Sequence, residues 1–408
     1  MKTLQHVNMH EAIAALSGAL DLVGVDEVRH GKRVAMIARA VADRLGWSAT
    51  DRMAMLHAGM LHDCGVSRIH EHRQLTETLE WDGAEDHCIR GAEYLAACRP
   101  VAHLADDIRY HHTRWRTLLE LPLAPDLRLR TNLLFLADRI DVLQAPFLNS
   151  EHILNEFSNI IARIRGLAGL LFCPELVEAF AELAEVEAFW LAMEPEYLDE
   201  DLRVIGAGLE PVLLDMAELK DLATLFSRVV DAKTPFTDEH SQRVALIARE
   251  LGADFGLSGC HLEQIEIAGL LHDIGKLRVS EDIINKPGGL TPSERATMHR
   301  HSYDTFRILL RVFADSKIPI WAGYHHETLV GDGYPFRSQP KELDLECRII
   351  AVADIFQALI QVRPYRPSVT AEEALADLRR RVAEGKLDPD VVGKLAARAE
   401  AYYQLASA

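Results

Sequence analysis

The chain has 408 residues, of which 49% are hydrophobic and 26% charged, and its formal net charge at pH 7 is -18. At about 100–200 residues per domain, this length predicts two domains, each long enough to bury its own core. The negative charge argues against a protein that grips duplex nucleic acid through a basic face, so no binding to DNA is expected. A small phosphate ligand remains compatible with this charge, because it needs only a local cluster of cations.

The cysteines and the apolar segments indicate the cellular compartment in which the protein is expected. The six cysteines are scattered and form no Cys-x-x-Cys pair, which is typical of reduced thiols. No segment approaches about 18 consecutive apolar residues, so no membrane span is predicted. The first twenty residues lack the apolar stretch of a signal peptide. A cytoplasmic protein is therefore expected.

Two similar helical segments open an internal repeat. His30 begins HGKRVAMIARAVADRLGWS, and His240 begins HSQRVALIARELGADFGLS. Apolar residues at spacings of three and four predict an amphipathic helix in each copy. Leu45-Gly46 and Leu251-Gly252 are the predicted stop signals of these helices.

Further landmarks follow in the same order in both copies. A His-Asp pair comes 32 residues after the first histidine, in AGMLHDCG and in AGLLHDIG. A later histidine precedes a His-His pair by 24 residues in each copy, and an aspartate follows within FLADRIDVL and AVADIFQAL. Finally, LFCPELVEAF matches LDPDVVGKL. Six matches in order indicate a duplication, with one unit over about 20–190 and the other over about 230–405.

The repeat and its helical periodicity predict an all-α fold. We expect two tandem helical bundle domains joined by helical segments, because alternating strand patterns are scarce. The predicted boundaries are 1–195 for the first domain, 196–230 for a helical connector and 231–408 for the second domain. The apolar pattern of 175–230 favours a rigid connection over a flexible linker.

The second copy carries a set of side chains suited to metal binding. Its five imidazoles and two carboxylates are His240, His272, Asp273, His301, His325, His326 and Asp354. Such ligands suit Fe, Mn, Zn, Ni or Co. Seven ligands exceed the need of one ion with open positions, and a carboxylate can bridge two ions, so a two-metal site is predicted. Two ions about 3.5–4 Å apart suit phosphodiester hydrolysis by an activated water.

These residues resemble the HD superfamily of metal-dependent phosphohydrolases, and the second copy resembles an HD-GYP domain. The resemblance covers roughly 170 residues, through HDIGKL, KPGGLT, HHETLVGDGYP, AVADIFQAL and RPYR. It implies HD-type helical bundles and hydrolysis of cyclic di-GMP to pGpG, with further cleavage to GMP open. Three alternatives remain: a cyclic GMP-AMP phosphodiesterase, a non-catalytic cyclic dinucleotide receptor, and an HD phosphohydrolase acting on other nucleotides.

The resemblance also implies roles for individual residues. The seven side chains of the second copy would hold two divalent ions, with Fe or Mn favoured, and Asp273 would bridge them. Asp273 and Lys276 would be catalytic, with Lys276 facing the scissile phosphate. Substrate would also contact the loop and the arginines that follow, namely Gly333, Tyr334, Pro335, Arg363 and Arg366, with Gly331 shaping the same loop. A purely structural turn is an equally good interpretation of Gly-Asp-Gly.

Three positions depart from the family pattern. Members with three metals carry a glutamate where this chain has Phe236, so two ions are expected rather than three. Val330 and Val362 stand where acidic residues are usual. These changes leave cyclic di-GMP as the first expectation and cyclic GMP-AMP as the alternative.

The first copy retains a ligand set but lacks other parts. The set is His30, His62, Asp63, His87, His111, His112 and Asp138. Val66 replaces the lysine of HDxGK, and no GYP loop or RPYR follows. A divergent phosphoesterase, a metal- or nucleotide-binding regulatory domain and a domain with structural histidines are all compatible with this. We expect metal there and a regulatory or sensory role. A homodimer or signalling protein partners are further expectations that the sequence leaves open.

Overall fold

The computed structural model describes residues 4–20, 29–66, 83–148, 153–232, 239–361 and 368–407. The chain divides into two compact units. One, here called the N-terminal unit, is Asn8–Val212. The other, the C-terminal unit, is Leu213–Ala408 together with Met1–Val7.

The N-terminal unit is helical. Its α-helices are α1 (Met9–Leu20), α2 (His30–Arg44), α3 (Ala49–Leu61), α4 (Glu85–Ala96), α5 (Ala105–Arg109), α6 (Trp115–Glu120), α7 (Pro125–Gln144), α8 (Ile153–Arg165), α9 (Pro174–Ala184), α10 (Glu187–Leu191) and α11 (Pro195–Ala207), and 3-10 turns cover Arg99–Leu104 and Ala145–Phe147. Proline is the first residue of α7, α9 and α11, where its fixed φ suits a helix start and no N–H is required. Ser48 caps α3 by accepting a hydrogen bond from the N–H of Asp51.

The C-terminal unit repeats this helical architecture. It contains α12 (Met216–Asp231), α13 (His240–Asp254), α14 (Cys260–Leu271), α15 (Glu281–Ile284), α16 (Pro292–Val312), α17 (Ile318–Gly323), α18 (Leu345–Ile360), α19 (Ala371–Ala383), α20 (Pro389–Ala397) and α21 (Ala399–Ser407), with 3-10 turns at Ile274–Arg278 and Pro340–Glu342. Capping boxes start α12, α16 and α19 and satisfy N–H groups that a helix start leaves without partners. Two short strands, β1 (Leu4–Val7) and β2 (Val212–Asp215), pair with each other.

The same close helix crossing occurs in both units. Helix α2 packs on α3 and α7, and the corresponding α13 packs on α14 and α18. At the first crossing, a Cβ on Gly59 would lie 2.5 Å from the Cα of Ala35. At the second, a Cβ on Gly269 would lie 2.7 Å from the Cα of Ala245. The glycine before each His-Asp pair therefore lets two helices approach closely, and this brings the first histidine near that pair.

The predicted all-α fold with two tandem HD-type bundles is confirmed, and the structure adds detail at the connector and the helix ends. Residues predicted as a helical connector, 196–230, form α11, β2 and most of α12. The stop predicted at Gly252 is wrong, because α13 continues to Asp254 and the positive φ occurs at Gly256. All six cysteines are free thiols. Among the described residues, none of the helices combines the length and apolarity needed to cross a membrane.

Candidate metal centres

The C-terminal unit brings its seven predicted ligands into one cluster. His240 begins α13, the His272-Asp273 pair follows α14, and Asp354 lies in α18. His301 lies within α16, and the pair His325-His326 follows α17. All of these residues are buried except His326, which is half-buried. Ligands from five helical segments thus converge inside the bundle.

Asp273 lies at the middle of this cluster. Its Oδ2 is 3.5 Å from Nε2 of His240 and 3.3 Å from Nε2 of His272, whereas its Oδ1 is 3.4 Å from Nε2 of His301 and 3.9 Å from Nε2 of His325. Asp354 Oδ1 is 3.4 Å from Nε2 of His240. One carboxylate oxygen therefore faces each half of the cluster, as a bridging role would require.

Hydrogen bonds orient the imidazoles from behind. The Nδ1–H groups of His272, His301 and His325 donate to the backbone carbonyls three residues earlier, at 2.7, 2.6 and 2.6 Å. The Nδ1 of His240 hydrogen bonds instead with Oε1 of Gln357. Because a carbonyl oxygen can only accept, these bonds keep the proton on Nδ1 and leave the Nε2 lone pairs for the inside of the cluster.

Buried atoms without hydrogen-bond partners test whether metal fits here. Nε2 of His272 and Oδ1 of Asp273 are both buried and have no hydrogen-bond partner. Such groups are costly unless something in the native protein binds them. The ligand atoms of His301, His325 and His326 lie within 4.8 Å of one another, as do those of His240, His272 and Asp273. This donor set fits divalent ions.

The electrostatics differ among the imidazoles, because the neighbouring carboxylates outweigh burial and raise the pKa of His272 to about 10, whereas burial dominates at the second His pair and its partner. Burial lowers the pKa of His301 to about 4 and that of His326 to about 3, so both imidazoles are neutral at pH 7. Burial opposes ionisation of Asp273, but Lys276 and His272 outweigh it and hold the pKa of this carboxyl well below its usual range. The aspartate is therefore a carboxylate.

In the HDxGK motif, the glycine fixes the backbone turn and the lysine supplies a charged group. The N–H of Gly275 donates to Oγ1 of Thr305 at 3.0 Å, and a Cβ on Gly275 would lie 2.0 Å from the carbonyl oxygen of His301. Only glycine allows the turn after His272-Asp273 to pass this close to α16. The ammonium group of Lys276 forms an ion pair with Asp273, at the edge of the cluster.

The GYP loop is held against the second His pair. A Cβ on Gly333 would lie 2.6 Å from the carbonyl oxygen of His326, and the Tyr334 ring lies 4.8 Å from the His326 ring. Tyr334 also stacks on His299, with ring centroids 3.8 Å apart. Pro335 follows Tyr334 through a cis peptide bond, and Gly331 has a φ of 72°. The structure therefore gives this loop a defined place beside the cluster.

Two residues that the sequence analysis did not single out support this site. Glu327 is buried, and its carboxylate accepts hydrogen bonds from the N–H groups of Phe336, Arg337 and Ser338 at 2.7, 3.1 and 2.9 Å. The sequence feature that could have identified Glu327 is the glutamate of the HHE motif. Gln357, the partner of His240, lies in AVADIFQAL one helical turn after Asp354. The predicted residues Arg363 and Arg366, as well as Phe236 and Val362, lie outside the described residues.

The N-terminal unit also brings its seven predicted ligands together. Oδ2 of Asp63 is 3.3 Å from Nε2 of His62 and 3.8 Å from Nε2 of His30, and its Oδ1 is 3.4 Å from Nε2 of His87. Nε2 of His111 is 3.2 Å from Nε2 of His87. Asp138 joins the cluster through Nε2 of His30 at 3.4 Å and Nε2 of His112 at 3.6 Å.

Side chains around this second cluster differ from those of the first. The guanidinium group of Arg139 binds Oδ2 of Asp138 at 2.7 Å, whereas Ile355 stands at the matching position of α18. Asp141 replaces Gln357 as the partner of the first histidine and also binds Arg33. Val66 occupies the place of Lys276 and is buried. The N-terminal centre therefore lacks the lysine of the other site and has a guanidinium group on one of its carboxylates.

Family comparisons agree with this geometry. The family model described as HD domain matches residues 28–145, and a second model, also described as HD domain, matches residues 224–391. A solved structure of a cyclic GMP-AMP specific phosphodiesterase of Vibrio cholerae covers 98% of each chain with a TM-score of 0.62 and 24% identity, which supports the fold.

Two curated relatives differ in how much of the chain they match. The 3'3'-cGAMP-specific phosphodiesterase 1 of Vibrio cholerae serotype O1 is 38% identical over 99% of this chain and 94% of its own length. A cyclic di-GMP phosphodiesterase of Thermotoga maritima is 35% identical over 43% of this chain and 47% of its own length. The chain therefore belongs to the HD superfamily of phosphohydrolases, as an HD-GYP-type phosphodiesterase with one HD domain in each unit.

Proposed function

We propose that the C-terminal unit hydrolyses 3'3'-cyclic GMP-AMP to a linear dinucleotide. The observation that carries the proposal is the similarity to a 3'3'-cGAMP-specific phosphodiesterase over 99% of the chain, through both units. Cyclic di-GMP, the first expectation from the sequence, becomes the second candidate, because the cyclic di-GMP phosphodiesterase of Thermotoga maritima matches only 43% of the chain.

The seven clustered side chains would hold the metal. His240, His272 and Asp354 would bind on one side of Asp273, and the remaining histidines would bind on the other. Two divalent ions bound there supply a water of lowered pKa and neutralise charge on the scissile phosphate. Fe or Mn stays our preference among metals that suit imidazole and carboxylate.

The protein's own groups would orient and neutralise the substrate. Lys276 lies at the edge of the cluster on Asp273, so its ammonium group can donate to a phosphoryl oxygen as negative charge develops there. Water adds across one phosphorus–oxygen bond, and the 3'-oxygen leaves with a proton. Opening the ring in this way leaves one phosphate at the 5' end of a linear dinucleotide.

The loop beside the cluster is proposed to hold a base or ribose of the substrate. The stacked pair of Tyr334 and His299 presents aromatic surface next to His326. A nucleobase can stack on such a surface, since stacking is worth about 1–3 kcal/mol per base. Gly333 and Pro335 would shape this surface. Arg363 and Arg366 stay proposed phosphate contacts.

The chemistry is assigned to the C-terminal unit and not to its N-terminal counterpart. The latter has Val66 in place of the lysine, and its Asp138 is engaged by Arg139. A regulatory or sensory role remains our proposal for that unit.

The test compares both cyclic dinucleotides on the intact chain. The protein, prepared without oxygen and loaded with Fe(II) or Mn(II), is assayed by chromatography with each substrate. We expect at least tenfold higher kcat/KM for 3'3'-cyclic GMP-AMP, equivalent to about 1.4 kcal/mol. His272→Ala/Asp273→Ala should abolish turnover, whereas His62→Ala/Asp63→Ala should leave the chemical step in place.

Each other outcome rejects a defined part of the proposal. Higher kcat/KM for cyclic di-GMP would reject the substrate assignment and retain the phosphodiesterase. Binding of both dinucleotides without product, with metal loaded, would reject the enzyme in favour of a receptor. Loss of turnover only in the His62→Ala/Asp63→Ala variant would assign the hydrolysis to the N-terminal unit.

A further inference from the structure

A buried cysteine joins the histidines of the N-terminal centre. Cys88 follows His87 in α4, and its Sγ lies 3.8 Å from Nε2 of His87. The ligand atoms of His87, Cys88, His111 and His112 all lie within 4.8 Å of one another. The matching position in the C-terminal unit is Ser302, so a thiol distinguishes the two centres.

Two of the separations are close to the edges of a tetrahedron around one ion. Zinc bonds of about 2.0–2.1 Å to nitrogen and 2.3 Å to sulfur give edges of about 3.4 Å between nitrogens and about 3.6 Å between nitrogen and sulfur. Nε2 of His87 is 3.2 Å from Nε2 of His111 and 3.8 Å from Sγ of Cys88. The Nδ1–H of His111 donates to the carbonyl of Ile108 at 2.6 Å and directs Nε2 inward.

We propose that the N-terminal unit binds a metal ion through His87, Cys88, His111 and His112, so that a cysteine thiolate replaces part of the imidazole and carboxylate set used in the C-terminal unit. The ligand set of one thiolate and three imidazoles is softer than the imidazole and carboxylate set of the C-terminal centre. Zinc suits this site better than manganese.

The test detects the sulfur ligand spectroscopically on the full chain. Cobalt(II) loading should produce a thiolate-to-cobalt charge-transfer band in the near ultraviolet, which only a metal-bound cysteine gives. Cys88→Ser should remove the band, whereas Cys98→Ser, a change at another buried cysteine of the same unit, should retain it. X-ray absorption of the zinc-loaded wild-type chain should show sulfur at about 2.3 Å from zinc, and this measurement needs no variant. The proposal is overturned if the cobalt protein shows no thiolate band, or if Cys88→Ser keeps the band.

Discussion

Glu327 connects the metal cluster to the loop that carries Tyr334. Its carboxylate accepts three backbone hydrogen bonds from residues 336–338 while it directly follows His326. Hydrogen bonds to a charged group are worth about 1.5–3 kcal/mol each. The position of the loop therefore depends on one buried side chain.

We expect Glu327→Gln to reduce kcat/KM by roughly tenfold or more, because the amide nitrogen cannot accept a hydrogen bond and one N–H loses its partner. Metal content should be unchanged, since the change leaves all seven ligands in place. Steady-state kinetics and metal analysis measure the two effects. Glu342→Gln is the matched control: Glu342 accepts from the N–H of Gln339 at 2.7 Å on the surface. If the Glu327→Gln variant has wild-type kinetics, the loop makes no contribution to turnover.

His57 is a half-buried imidazole outside both clusters. Its Nε2 has no hydrogen-bond partner, and its ring lies 5.7 Å from the ring of His10. Burial, together with His10 and His103, lowers the pKa of His57 to about 4. The unfolded chain therefore binds a proton between about pH 6.5 and 4 that the folded chain does not bind, so stability falls as the pH drops through this range.

We expect His57→Gln to make the unfolding free energy less sensitive to pH. At about 1.4 kcal/mol per pKa unit, the wild-type chain should lose up to about 3 kcal/mol through this group between pH 7 and 4. The variant should lose correspondingly less, as measured by urea unfolding at several pH values. Replacing the exposed His103 by Gln should have a much smaller effect. Parallel curves for the wild type and the His57 variant would contradict the prediction.

At the scale of elements, two glycines of each unit set the distances between helices. Gly65 and Gly275 follow the His-Asp pairs, and a Cβ at either position would lie about 2 Å from a carbonyl oxygen of the next ligand-bearing helix. The two glycines of a unit therefore hold the His-Asp pair against the helices on either side. The positions of the metal ligands in this fold therefore depend on close backbone contacts that only glycine allows at these two positions.

Gly275→Ala should reduce metal binding and destabilise the C-terminal unit, because the methyl group would overlap the carbonyl of His301. Changes that overfill a packed site typically cost about 1–3 kcal/mol. Gly393→Ala is the control, since Gly393 lies in α20 with nothing within 4 Å of an added Cβ. That control should be neutral or stabilising by up to about 1 kcal/mol. Thermal unfolding and metal analysis separate the two, and equal behaviour of both variants would contradict the packing argument.

The sequence predicted the elements and the ligands better than the contacts that distinguish the two units. Helical periodicity and the repeated spacing located the ligand-bearing segments, because both follow from local geometry. Arg139 was missed as a partner of Asp138, since neighbours on a helix point about 100° apart and only a long side chain folds back. Glu327 was missed because its partners lie 9–11 residues away in an irregular loop. Cys88 was missed because the matching residue of the second copy is Ser302, so the cysteine is not part of the repeated pattern.

At the scale of the whole molecule, the duplication has produced two bundles of one architecture with different side chains at their centres. Both centres contain buried atoms without hydrogen-bond partners, including Nε2 of His62 and His272 and Oδ1 of Asp63 and Asp273. Buried polar groups of this kind are costly in the absence of a ligand. Bound metal should therefore stabilise each bundle as well as serve its function.

Removal of metal should lower the thermal midpoint of the chain, and addition of Mn(II) or Zn(II) should restore it. A ligand present at 1,000 times its Kd stabilises by about 4.1 kcal/mol, and for units of this size each kcal/mol shifts the midpoint by about 2–4 °C. A shift on the order of 10 °C is therefore expected in calorimetry after chelation. His272→Ala/Asp273→Ala should remove the part of the shift that belongs to the C-terminal unit, whereas His103→Ala should retain the whole of it. If the chelated and loaded chains unfold at the same temperature, the buried unpaired atoms do not mark metal sites, and the histidine clusters are packing features of the two bundles.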